Sequence, residues 1–300
     1  MWWIVLAVVG AVSTSLTTIF VKLGVKDVNS NFATLIKTTV AILFSLILCL
    51  ATNAFASVKD FTLENYLYLG LSGICTGLSW LCYFRALKLG DINKVAPVDK
   101  SSFVLSSILF LIFFFNDTTN NGDTGTIIAL VGSMALMLVG TLLMIDKKKE
   151  DPDHKINKTW LIYAILSAVF AALVSFFVKL GLKNINSNVG TLFRTIVVFV
   201  FALAIVLVKK DYKDVKKISA KSWIFLILVG VFTGIAWLSE YYSLSIEGVN
   251  PIAVTSISKS SILITMIFSG LILKEKFNWK SILGLILILG GIALVVIFSL

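Results

Sequence analysis

Charge is scarce in this chain of 300 residues. Only 14% of it is Asp, Glu, Lys or Arg, against roughly 25% in soluble domains. Hydrophobic residues make up 58%, above the usual roughly 45–50%, and the mean hydropathy is +0.97. So few charges cannot cover a soluble surface. The three cysteines, Cys49, Cys75 and Cys82, form no C-x-x-C pair, which excludes a disulfide framework and leaves them as small apolar packers. One histidine, His154, cannot build a zinc site or a catalytic triad, so no metal site is expected. There is no Walker A motif, so ATP does not drive the protein directly, and no cofactor is expected. A typical soluble enzyme, a disordered chain and a disulfide-stapled secreted domain are excluded. A polytopic membrane protein remains.

A helix needs about 20 apolar residues to cross the hydrocarbon core. Ten such segments are expected near 2–23, 31–52, 64–84, 94–115, 124–145, 159–180, 188–208, 222–244, 250–273 and 278–299. They show no period-2 alternation, which excludes an outer-membrane barrel. The first lacks a basic n-region and a small-residue cleavage site, so it reads as uncleaved. The fold class is all-α, with the lipid bilayer as its solvent. The net charge of +10 does not indicate nucleic acid, because the excess cations lie in loops beside spans, where they face headgroups.

Trp3–Thr38 aligns with Trp160–Thr195 at a constant offset of 157, with 17 of 36 positions identical. The same offset carries Gly73, Thr76, Gly77 and Trp80 onto Gly230, Thr233, Gly234 and Trp237. After a two-residue slip, Lys100-Ser101-Ser102 matches Lys259-Ser260-Ser261. The domains are therefore a five-helix repeat over 1–145, a charged linker over 146–158 and a second repeat over 159–300. Five is odd, so the second copy enters the membrane from the opposite side. Loops after spans 1, 3, 5, 7 and 9 carry nineteen Lys and Arg, and the other loops carry three. By the positive-inside rule the basic loops, including 146–158, are cytoplasmic and both termini lie outside. Two inverted repeats are a transporter architecture, with substrate held near the midplane.

The stretch Thr76-Gly77-Leu78-Ser79-Trp80-Leu81-Cys82-Tyr83-Phe84-Arg85-Ala86-Leu87-Lys88-Leu89-Gly90-Asp91, followed by Val95-Ala96-Pro97-Val98-Asp99-Lys100, is similar to the span 3–4 signature of the drug/metabolite transporter superfamily, in its EamA branch. The resemblance covers nearly the whole chain. It implies ten helices whose third, fourth, eighth and ninth members line a central cavity. It also implies export or exchange of small metabolites, often amino acids, by alternating access. One departure is the place after span 4, where a Gly-Glu pair is common and this chain reads Phe115-Asn116-Asp117.

An ionisable residue inside a span costs roughly 2.5–3.5 kcal/mol on insertion scales, so it faces a cavity or a partner. Glu240 lies three residues after Trp237, on one helical face with it, and replaces Tyr83 of the first copy. It would bind a substrate ammonium or exchange protons; the alternative is a carboxylate wetted near a span end. Lys100 and Lys259, with Ser101 and Ser260, would hold a carboxylate or phosphate, or the lysines would snorkel to water. Lys37 and Arg194 match each other roughly 9 Å inside their spans, and cavity lining and snorkelling are both open for them. Asp99 would neutralise Lys100 or Arg85. Trp80, Trp237, Tyr83 and Tyr241 would wall the cavity. Gly73, Gly77, Gly230 and Gly234 let helices approach, and Pro97 would hinge span 4. The leading expectation is a secondary transporter of the plasma or inner membrane, not an enzyme, for a small-molecule substrate such as an amino acid or amine. Phosphorylated or nucleotide-linked solutes are the alternative within that class. A membrane enzyme or accessory subunit handling lipid-linked substrates is the alternative outside it. The sequence assigns no oligomeric state.

Overall fold

The structure is a computed structural model describing residues 2–25, 28–89, 95, 98–99, 101–119, 122–143, 159–271 and 278–299. Lys100, Pro97 and the linker expected over 146–158 lie outside the described residues. Among the described residues all regular structure is helical, as hydrocarbon requires of backbone groups that have no water to bond. The helices are α1 (Trp2–Gly24), α2 (Ser30–Ala51), α3 (Leu63–Leu89), α4 (Ser102–Phe113), α5 (Phe115–Thr119), α6 (Thr124–Leu143), α7 (Thr159–Gly181), α8 (Ser187–Lys209), α9 (Ala220–Ser245), α10 (Pro251–Lys259), α11 (Ser261–Leu271) and α12 (Trp279–Phe298). Nine of the ten expected spans are present at membrane-crossing length and apolarity among the described residues. The fourth is represented by the shorter α4. The protein is a multi-pass membrane protein.

The ninth span, apolar over Pro251–Phe268, carries a tightened turn at Ser260. The Ser260 N–H donates to the Ile257 carbonyl (2.9 Å) and the Leu263 N–H to the Ser260 carbonyl (3.0 Å). That is the i→i+3 spacing of a tightened turn, and it separates α10 from α11 without a proline. Pro251 instead heads α10, where its missing N–H costs nothing and the Asn250 side chain accepts from the Ile252 N–H (2.9 Å). Ser101 repeats the pattern, bonding Val98 (3.2 Å) and receiving Val104 (2.9 Å).

The helices form two compact units. The first comprises Met1–Gly77, Phe177–Ile246 and Ile257–Ser269. In it α1 packs on α9, α9 on α2, and α2 on α8. The glycines set the spacing. A Cβ at Gly73 would stand 2.8 Å from Val197 Cβ and 3.2 Å from the Arg194 carbonyl oxygen. One at Gly230 would strike Val40 and stand 3.1 Å from the Lys37 carbonyl oxygen. Gly77 faces Phe201 as Gly234 faces Phe44. Every one of these pairs maps onto its counterpart at the offset of 157 read from the sequence. The third span of each repeat therefore packs on the second span of the other.

The connections are also duplicated. Asn29 and Asn186 accept from the backbone N–H two residues on (2.9 and 3.0 Å) and open α2 and α8. Asn53 and Lys210, both left-handed (φ 50° and 58°), close those helices into matching 3-10 turns. Crosswise bonds tie the turns together. The Asn29 and Asn31 amides donate to the two oxygens of Asp211 (2.9 and 2.7 Å), and the Asn65 amide donates to the Gly181 and Lys183 carbonyls (both 3.0 Å). The first turn of each repeat meets the second turn of the other, which is the signature of inverted copies.

The second unit comprises Leu78–Phe176, Glu247–Ser256 and Gly270–Leu300. Here α6 packs on α12, with Gly291 set against the Ser133 carbonyl. Asn250 donates to the Thr118 carbonyl and to the Ser299 hydroxyl (both 2.9 Å). Ala86, Val95 and Ala164 form a buried cluster.

A leucine at Gly230 must displace Val40. We expect Gly230→Leu to lower stability by about 1–3 kcal/mol, read as a fall in Tm in detergent. A Tm at or above that of the unsubstituted protein would contradict this packing.

Candidate functional site

Arg194 is the eighth residue of α8. It is 1% exposed and the largest fully buried side chain among the described residues. At that exposure it is enclosed by protein in this structure, which is not the geometry of a snorkelling side chain. Two aromatic faces hold it: the guanidinium carbon lies 5.0 Å from the Trp237 ring centroid and 4.8 Å from that of Tyr241. Thr76 on α3 fixes its rotation, because Arg194 Nη2 donates to Thr76 Oγ1 (2.7 Å). The Thr76 hydroxyl in turn donates to the Ser72 carbonyl (2.9 Å), which leaves its lone pairs facing the guanidinium. Nε and Nη1 have no hydrogen-bond partner among the described residues.

Trp237, Glu240 and Tyr241 stand at i, i+3 and i+4 on α9 and share one face. The cations that act on the Glu240 carboxyl are Lys259, at the end of α10, and Arg194. Ser258 also faces Glu240. Of six buried side-chain atoms without a partner among the described residues, four belong to Thr191, Arg194 and Ser258. Thr191 precedes Arg194 by one turn. Two of these six atoms belong to the Arg194 guanidinium itself.

The first unit brings together Glu240, Trp237, Tyr241, Lys259 and Arg194. Lys37, half-buried on α2, and Ser260 belong to the same unit. Trp80, Tyr83, Asp99 and Ser101 belong to the second unit. There Asp99 accepts from the Ser167 hydroxyl (2.6 Å), and Ser167 also bonds the Ser79 carbonyl (3.1 Å). Tyr83 is an electrostatic neighbour of Asp99. The Ser101 hydroxyl is turned back onto the Val98 carbonyl (2.6 Å). Sequence reasoning passed over Thr76 as the partner of Arg194. The signal was its match to Thr233, beside a Lys37-to-Arg194 exchange between copies.

The chain matches the profile of the EamA-like transporter family over residues 1–139 and 158–297. It belongs to the EamA-like transporter family. A relative from a Sinorhizobium species, described as an uncharacterized transporter in the cobO 3' region, is 43% identical to this EamA-like chain over 111 residues. That match covers 37% of this chain and 79% of the relative. A solved crystal structure aligns over 98% of this chain and 97% of its own, with a TM-score of 0.78 and 14% identity. At that identity the likeness shows the fold alone. As a member of this family the chain is a membrane transporter.

The Arg194–Trp237 contact is measurable. A cation–π pair away from water is worth about 1–2 kcal/mol. In a double-mutant cycle of Trp237→Leu with Arg194→Met, we expect a coupling energy of about 1 kcal/mol in thermal stability. Strict additivity would show that the ring does not hold the guanidinium.

Proposed function

We propose that this EamA-like protein is a secondary transporter of the plasma or inner membrane that exports or exchanges a small polar metabolite, an amino acid or related amine. The observation that carries the reading is the cluster of Arg194, Glu240 and Lys259 beside Trp237 and Tyr241 in helices of membrane-spanning character. Such charges persist in hydrocarbon only where protein or solute answers them. Glu240 meets the ammonium of the solute or a coupling proton. Lys259 answers the Glu240 carboxylate through space, and Trp237 and Tyr241 shape the cavity on the same helix face. The two repeats, 1–145 and 159–300, rock about the site. Both termini face outward and the basic loops face the cytoplasm.

The excess of Arg194 and Lys259 over Glu240 favours a second reading, a phosphorylated or nucleotide-linked solute. A reconstitution experiment separates the two. Purified protein in liposomes should exchange a labelled amino acid, and Glu240→Gln should cut the rate by at least roughly tenfold, the loss of one charged hydrogen bond, with Tm preserved. Uptake of phosphorylated solutes with none of amino acids would favour the second reading. Failure across amino acids, amines and phosphorylated metabolites, with folded and oriented protein, would contradict both.

A further inference from the structure

We propose that the Arg194 guanidinium is the carboxylate receptor of the transport site, so that the acid group is the end of the solute the site requires; this rests on the amino-acid reading above. The argument starts from the five N–H donors of a guanidinium. Nη2 carries two of them, and Thr76 takes one. One Nη2 hydrogen runs parallel to a hydrogen on Nη1, and the other runs parallel to the hydrogen on Nε. Whichever Thr76 takes, the remaining one still pairs with a nitrogen that has no partner. One complete two-toothed fork is therefore left, and a fork matches the two oxygens of a carboxylate.

The surroundings hold that fork in place before any solute arrives. The guanidinium carbon lies over the Trp237 and Tyr241 rings at 5.0 and 4.8 Å, and these contacts restrict its movement. Glu240, the carboxyl nearest to hand, interacts with Arg194 through space without bonding Nε or Nη1. The lysine at the matched position 37 could offer a point charge but no fork. The exchange to arginine in the second copy thus changes the geometry of recognition. The charge balance points the same way. Among the described residues Arg194 and Lys259 are the cations that act on Glu240, so a carboxylate adds a second acid to that group.

The test uses matched triplets: each common amino acid, its decarboxylated amine and its deaminated carboxylic acid. Each is scored by thermal stabilisation of the full chain and by competition for liposome uptake. We expect a triplet in which the amino acid and the deaminated acid bind and the amine does not. Arg194→Gln should weaken the two acids by roughly 10–100-fold and abolish the preference over the amine, while Arg194→Lys restores part of it. Thr76→Val, which keeps the charge and frees the guanidinium, should weaken the acids several-fold and leave amine competition unchanged. It serves if Arg194→Gln does not fold. An unsubstituted protein that binds the amine as tightly as the amino acid overturns the assignment. So does Arg194→Gln, or Thr76→Val where that stands in for it, with unaltered acid binding. Silence of the unsubstituted protein toward every triplet overturns the amino-acid reading itself, and is distinct because no substitution is involved.

Discussion

Hydrocarbon offers no hydrogen bonds, and that constraint organises this protein. It forces the backbone into helices whose polar groups bond within the segment. It also removes water as an answer to any polar side chain placed at depth. Most buried hydroxyls here solve the problem locally, as Thr38, Thr195, Thr233 and Ser256 do by bonding a carbonyl three or four residues back. Arg194 cannot do this. Its guanidinium donates one bond to Thr76 and lies over two aromatic rings, and Nε and Nη1 have no partner among the described residues. A cost of a few kcal/mol per intramembrane charge gives that residue a functional meaning.

The duplicated architecture makes such a site affordable to the fold. Glycines at matching places let α3 lie on α8 and α9 on α2, and Asn29, Asn31 and Asn65 tie the turns crosswise. The glycine contacts use backbone and small residues common to both copies. They leave the side chains between them free to diverge. The copies differ at Tyr83 against Glu240, Phe84 against Tyr241 and Lys37 against Arg194.

Much of this was legible from composition and repetition alone. Apolar runs locate spans because the bilayer admits one periodicity, and an offset of 157 locates the copies because a duplicated fold keeps its register. The compact units were not legible. Contact groups Met1–Gly77 with Phe177–Ile246, cutting across both repeats, because the third span of one copy packs on the second span of the other. The tightened turn at Ser260 escaped notice because no proline marks it; it is made by i→i+3 bonds that any residue can form. The sequence singled out Glu240, but it did not separate Arg194 from Lys37, since burial depends on which helix covers each. Thr76 looked like one more small residue beside a glycine motif until Arg194 was seen to reach it across 118 positions of chain.

The central claim is that the polar cluster opens to solute inside protein, not to lipid. Cysteine accessibility tests it most directly. In a variant with Cys49, Cys75 and Cys82 replaced by serine or alanine, Tyr241→Cys should react with a charged, water-soluble thiol reagent. A transported amino acid should slow that reaction. Reaction with lipid-soluble reagents alone, unaffected by any transported solute, would place that face of α9 in the acyl chains and contradict the account.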